Sequence, residues 1–283
     1  MTQYEEQIPL DKAKYLFNLK NEYIITDIFK QDEKDNDGNE YTPEQYVNSL
    51  KKWLKKVIAN KGKCVTQYKY SKTLKTEGRQ YVKTFGIQSL QNNIKAFLCE
   101  DKYLDFDMKN AHPTILKYLL AKHFPEEEFE FLDHYIENRQ VCIEQYFTKH
   151  DVLVWLNSDD IYTGQNDPSK GLIKDFDRIR KLFWDADLEE YKNCERMRGK
   201  KNMRASYLNK ILCVWEDRIL TESIKEQERV GVLMFDGFLK HKDNENITHT
   251  IFNLNKKTEK YNIEWTCKPL QHNIVMDVNT PPS

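Results

Sequence analysis

No two cysteines in this chain form a Cys-x-x-Cys pair; the six, at 64, 99, 142, 194, 213 and 267, are scattered. That argues against a zinc ribbon and against a disulfide framework, and it makes a reducing intracellular compartment, cytoplasm or nucleus, the expectation. Nor is there a run of the roughly 18 apolar residues that a membrane helix needs. The opening MTQYEEQIPL has no basic stretch followed by an apolar one, so neither a secretory leader nor a membrane partner is expected. Internal repeats and low-complexity linkers are missing too. Net charge is nearly absent, at −1, which is unusual for a chain that handles nucleic acid.

What is present is a globular composition, with 31% charged and 12% aromatic residues over 283 positions, enough to bury a real core in one large domain or two to three lobes. The distribution of charge says more than its sum. Lys51 to Lys75 holds nine lysines and no acid. Tyr191 to Lys210 sets Lys192, Arg196, Arg198, Lys200, Lys201, Arg204 and Lys210 against Glu195 alone. Segments of this kind can follow a phosphate backbone, or simply form a solvated face.

Periodicity and capping predict helices over 11–30 and 43–60, the second with Thr42 as N-cap and Trp53, Leu54 and Val57 on its apolar face. A turn-rich linker follows the first at 34–40. A strand or hairpin is expected within 63–80, a short helix at 90–98 and a strand at 103–107. A helix opens at Pro113, and two more are expected at about 136–157 and 168–185. Residues 203–226 form a long amphipathic helix with Leu208, Ile211, Leu212, Trp215 and Ile219 on one face. Val230 to Phe235 and Phe238 to Lys240 make a hairpin about Gly237, and a helix and a strand that completes a sheet follow. The order predicts an α+β fold with a small antiparallel sheet.

Two apolar segments carry the chemistry. LDFDMKNAHPTIL, 104–116, and VGVLMFDGFLK, 230–240, each place an aspartate, Asp107 and Asp236, in or at the end of a strand. An ionised carboxylate is costly there unless it is paired or binds a cation. Two such aspartates on neighbouring strands could hold two magnesium ions for phosphoryl or nucleotidyl transfer. Asp105, two residues before Asp107, points to the same face and is a candidate third ligand. Taken singly, Asp107 could instead cap a helix and Asp236 could be a turn residue.

Read in order, five segments resemble the family A DNA polymerases: EGRQYVKTFGIQSLQNNIKAFL at 77–98, DMKNAHPTIL from Asp107, KHDVLVWLNS from Lys149, NMRASYLN from Asn202 and MFDGF around Asp236. The likeness covers roughly 77–240 and comes closest to the small divergent polymerases of viruses and transposons. It implies a right-hand fold with a palm from 77–111 and 203–283, helical fingers from 112–202, and a thumb-like lysine-rich lobe from 1–76. It implies primer extension on a DNA primer–template with dNTPs and two Mg2+ ions held by Asp107 and Asp236. Lys149, His112 and Asn157 would then bind nucleotide, and Arg79, Gln91 and Arg204 would contact nucleic acid. It also allows for a helicase or another replication protein as partner. Gly237 stands where the family carries a glutamate, Phe235 where it carries a histidine, His112 at a sugar-pocket glutamate, Asn157 at a fingers tyrosine and Gln145 at an arginine. Two alternatives stay open. One is a primase-like enzyme built on Asp105-Phe106-Asp107, although no Ser-x-His accompanies it. The other is an inactive nucleic-acid-binding module.

Overall fold

The computed structural model describes residues 2–25, 42–71, 74, 76–160, 162–194, 196, 201–242 and 246–276. The expected linker at 34–40, the end of the expected 11–30 helix, and Lys72, Lys75, Glu195, Arg198 and Lys200 lie outside them. Among the described residues the chain has eleven α-helices and two antiparallel sheets, an α+β fold.

The first sheet joins β1 (Gln3–Gln7), β2 (Lys63–Tyr70) and β3 (Gln80–Val82) in that order. The second has the order β5 (Val230–Leu233), β6 (Gly237–His241), β4 (Tyr103–Met108), β7 (Trp265–Lys268). β4 is central, and Asp107 lies opposite Gly237 on one side and Thr266 on the other. The expected hairpin, and the strand after it that completes the sheet, are both in place.

Near the N-terminus are α1 (Leu10–Asn18), the single turn α2 (Asn21–Tyr23) and α3 (Pro43–Ala59). α3 starts where the sequence places it. Thr42 accepts from the Gln45 amide and Gln45 reaches back to the Thr42 amide, while Pro43 gives up a hydrogen bond that the first turn does not need. Two corrections belong here. The helix expected from residue 11 ends at Asn18, where Leu19 leaves helical geometry, and Lys51 Nζ donates to the carbonyls of Phe17 and Leu19. β1 was not expected, because QYEEQ reads as polar; it is held by pairing along β2.

After α4 (Asn92–Cys99) and β4, α5 (Ala111–His123) runs through the core. The single helix expected over 136–157 is corrected to three: α6 (Glu130–Glu137), α7 (Arg139–Gln145) and α8 (Lys149–Leu156). The break before α8 has a local cause, since Thr148 and Asp151 form a capping box that fixes a helix start. α9 (Asp167–Ala186), α10 (Met203–Ile224) and α11 (Ile247–Thr258) complete the set. All five residues of the expected apolar stripe on α10 are buried.

Two hydrophobic clusters flank β4 and β6. One gathers Phe106 and Phe238 with the helices from α5 to α10. The other joins α1, α3 and α4 to Tyr103, Val232, Leu233 and Leu239. The strands that carry the aspartates are thus gripped from both faces, which keeps their ends in a fixed register.

Candidate metal and nucleic-acid site

β4 delivers Asp107, and the β5–β6 turn delivers Asp236. The Met108 amide donates to the Asp236 carbonyl at 2.9 Å, tying the two ends together. Gly237 is demanded by this approach: a Cβ there would lie 2.2 Å from the Phe106 carbonyl oxygen and 3.0 Å from the Asp107 Cα. The glutamate of the family pattern has no room at this position.

Both aspartates line one cavity of about 860 Å³. Burial, with Glu216 adding to it, raises the Asp236 carboxyl above its ordinary value. Asp105 is also raised, by burial and to a lesser degree by Asp236, although Lys95 and Lys268 pull the other way. Buried carboxylates raised in this way are under-compensated, and a hard divalent cation takes oxygen ligands of this kind. Asp107 itself is ion-paired with Lys268 of β7.

Arg79, Arg139, Lys149 and Lys268 bring positive charge to the same cavity. Lys149 is exposed and opens α8 directly after the Thr148 cap. His112 sits in the first turn of α5, placed there because Asn110 takes up a left-handed conformation (φ 50°, ψ 40°) that turns the chain sharply off β4. Asparagine tolerates that conformation better than most residues.

The deepest charged residue in the cavity is Glu216 on α10, 1% exposed. Arg79 Nε donates to its Oε2 at 2.5 Å and the Arg79 Nη2 to its Oε1 at 3.2 Å. His112 Nε2 lies 3.2 Å from the same Oε1. Burial alone would raise the Glu216 carboxyl, but His112 and Arg79 outweigh it and hold it at about 2. Burial likewise opposes a charged His112, yet Glu216 above all brings the imidazole up to about 9. The dipole at a helix N-terminus disfavours a cation by only about 0.3–1 kcal/mol at typical sites, so the adjacent carboxylate prevails. Arg79 also lies over the Phe235 ring, 4.9 Å from its centroid, and Phe235 packs on Tyr81. The ligand atoms of His112, Cys213 and Glu216 are within 4.8 Å of one another.

The cavity therefore brings together Asp107, Asp236, His112, Lys149 and Arg79. Four other expected residues do not line it: Asp105, two residues before Asp107 on β4, and Gln91, Asn157 and Arg204. Gln91 is 3% exposed beneath the N-terminal helices, where its backbone N–H donates to the Tyr46 hydroxyl, so it has no surface to offer a duplex. Asn157 ends α8, donating to the Leu153 carbonyl and accepting from Asn209. Arg204 starts α10 and turns to Asp159 and Asp177. Glu216 and Lys268 were missed. Glu216 had a signal: it stands four residues after Leu212 and three before Ile219, a charge on the apolar stripe. Lys268 had none, since its place depends on β7 pairing with β4.

No family model matches the chain. It is similar to a protein named putative helicase V13 of Sputnik virophage, 27% identical over 243 residues, covering 75% of this chain and 31% of the relative. The chain thus spans about a third of the length of the curated relative it matches. This finding corrects the expected function: the relative's name points to a helicase-type activity rather than to a DNA polymerase. No described helix is long and apolar enough to cross a membrane.

Proposed function

We propose that the chain belongs to an enzyme of the helicase type that acts on nucleic acid, and that its own part is to hold nucleic-acid phosphate in the cavity through magnesium bound at Asp107 and Asp236. The observation that carries this reading is the pair of strand-end aspartates sharing one cavity with Arg79 and Lys149. Positive grooves that track a single strand are common to helicase channels. A cation between carboxylate and phosphate would let an acidic floor accept an anionic ligand. Viral or mobile-element origin fits the virophage relative.

The phosphate loop Gly-x-x-x-x-Gly-Lys-Ser/Thr does not occur in the 283 residues. The reading therefore gives this chain the handling of nucleic acid and not NTP-driven translocation.

Fluorescence anisotropy with a labelled single-stranded DNA, in Mg2+ or EDTA, tests the proposal. Wild-type protein should bind more tightly with Mg2+. Asp107→Asn and Asp236→Asn should each weaken that binding about tenfold or more, the loss expected when a charge-assisted contact of about 1.5–3 kcal/mol goes. Equal affinity in Mg2+ and EDTA would remove the cation from the account.

A further inference from the structure

We infer that Glu216 is a positioning residue of the cavity: from the middle of α10 it fixes the Arg79 and His112 side chains beside the Asp236 turn. Its bearing on the cation rests on the reading of the cavity given above; the arrangement itself stands on geometry.

Three distant segments meet at this one carboxylate. Arg79 comes from the chain just before β3, His112 from the start of α5, and Glu216 from α10. Both oxygens are used, and the carboxylate is almost fully buried. Two cations share one anion, so the cluster keeps one positive charge next to two aspartates. The arrangement also reaches Asp236 mechanically. Glu216 orients the Arg79 guanidinium, the guanidinium lies on the Phe235 ring, and Phe235 is the residue before Asp236. Removing one partner of a buried ion pair leaves an uncompensated charge, which is far more damaging than losing a surface pair. Without Glu216, the half-buried Arg79 guanidinium would lose its counter-charge while facing the place where the cation is proposed to sit.

The same atoms could be mistaken for a metal site, because His112, Cys213 and Glu216 are close enough to share an ion. Arg79 argues against that. A guanidinium bonded to both carboxylate oxygens, and 3.4 Å from His112 Nε2, already holds the position a metal would need.

The test follows His112 by NMR and Mn2+ by EPR in the same proteins. The groups facing His112 are Glu216, Arg79, Cys213 and, more distantly, Asp236. In wild-type protein the imidazole should titrate at about 9. In Glu216→Gln it should fall well below that, because burial then opposes the charge with its main partner gone. Glu216→Gln should also weaken Mn2+ binding several-fold, and Arg79→Gln/Glu216→Gln should recover most of it by removing the orphaned charge. A purely structural role for Glu216 would leave the double variant no better than the single one. If Glu216→Gln does not fold, Arg79→Gln gives the answer, since His112 should then titrate no lower than in wild type. An unchanged His112 titration in Glu216→Gln, or a fall in Arg79→Gln, would overturn the inference. So would a Co2+ thiolate charge-transfer band that Cys213→Ser abolishes. Wild-type protein that binds no Mn2+ would count against the cation reading alone, and the His112 titration would still decide the role of Glu216.

Discussion

Gly237 and Glu216 show how single positions carry this site. Gly237 answers to a neighbouring backbone, and any side chain would strike the Phe106 carbonyl. Gly237→Ala should therefore destabilise the fold by about 1–3 kcal/mol or more, since the obstacle is main chain and cannot rotate away. A thermal unfolding midpoint equal to wild type would contradict this. Lys268 gives a second prediction at this scale. Its ammonium is the counter-ion that Asp107 already has, so a divalent cation must compete with it. Lys268→Met should bind Mn2+ more tightly than wild type in an EPR titration, and weaker binding would mean that the lysine helps to build the site.

At the scale of elements, legibility followed locality. α3 could be read from Thr42, Pro43 and the apolar face of Trp53, Leu54 and Val57 because its start signals and apolar face lie within one stretch of chain. The β5–β6 hairpin was legible for the same reason, as was the burial of the α10 stripe. What stayed hidden depends on partners far away in sequence. β1 is a strand because β2 lies beside it, and Lys268 reaches Asp107 because β7 does. The break between α7 and α8 was local yet overlooked, since the hydrophobic period continues through it. The capping box there is testable: Thr148→Ala should cost about 1 kcal/mol, as N-cap losses typically do. Chemical denaturation measures this, and no change in midpoint would show that the box does not set the helix start.

At the scale of the whole molecule, the two clusters share β4 and β6, so cavity and fold titrate together. Glu6 is fully buried on β1, where burial pushes its carboxyl up to about 8, against the hydrogen bond from the Ile87 amide. A carboxyl raised in this way keeps its proton in the folded state after the unfolded chain has lost it. Its contribution is full below about pH 4.5 and is lost as pH climbs to about 8. His112 acts in the same direction at higher pH: its stabilisation is complete below about 6.5 and disappears as pH passes about 9. Glu216 works from the acid side, where its contribution is lost as pH falls below about 4.5 towards 2. Stability should thus be greatest near pH 4.5 and decline steadily on the alkaline side. Glu6→Gln should flatten the first part of that decline in a series of thermal melts. A midpoint that rises from pH 6 to 9 would contradict the assignment.

The cost of an ionised carboxylate at a strand end drew attention to Asp107 and Asp236, and the fold brings them to one cavity, while the name of the virophage relative points away from a DNA polymerase. The central claim is that these two carboxylates hold a divalent cation. EPR of Mn2+ titrated into the protein tests it most directly, by following loss of the free-ion signal in wild type, Asp107→Asn and Asp236→Asn. The account predicts that wild-type protein depletes the free ion and that both variants lose that capacity while remaining folded. Equal depletion by all three proteins, or none by any, would contradict it.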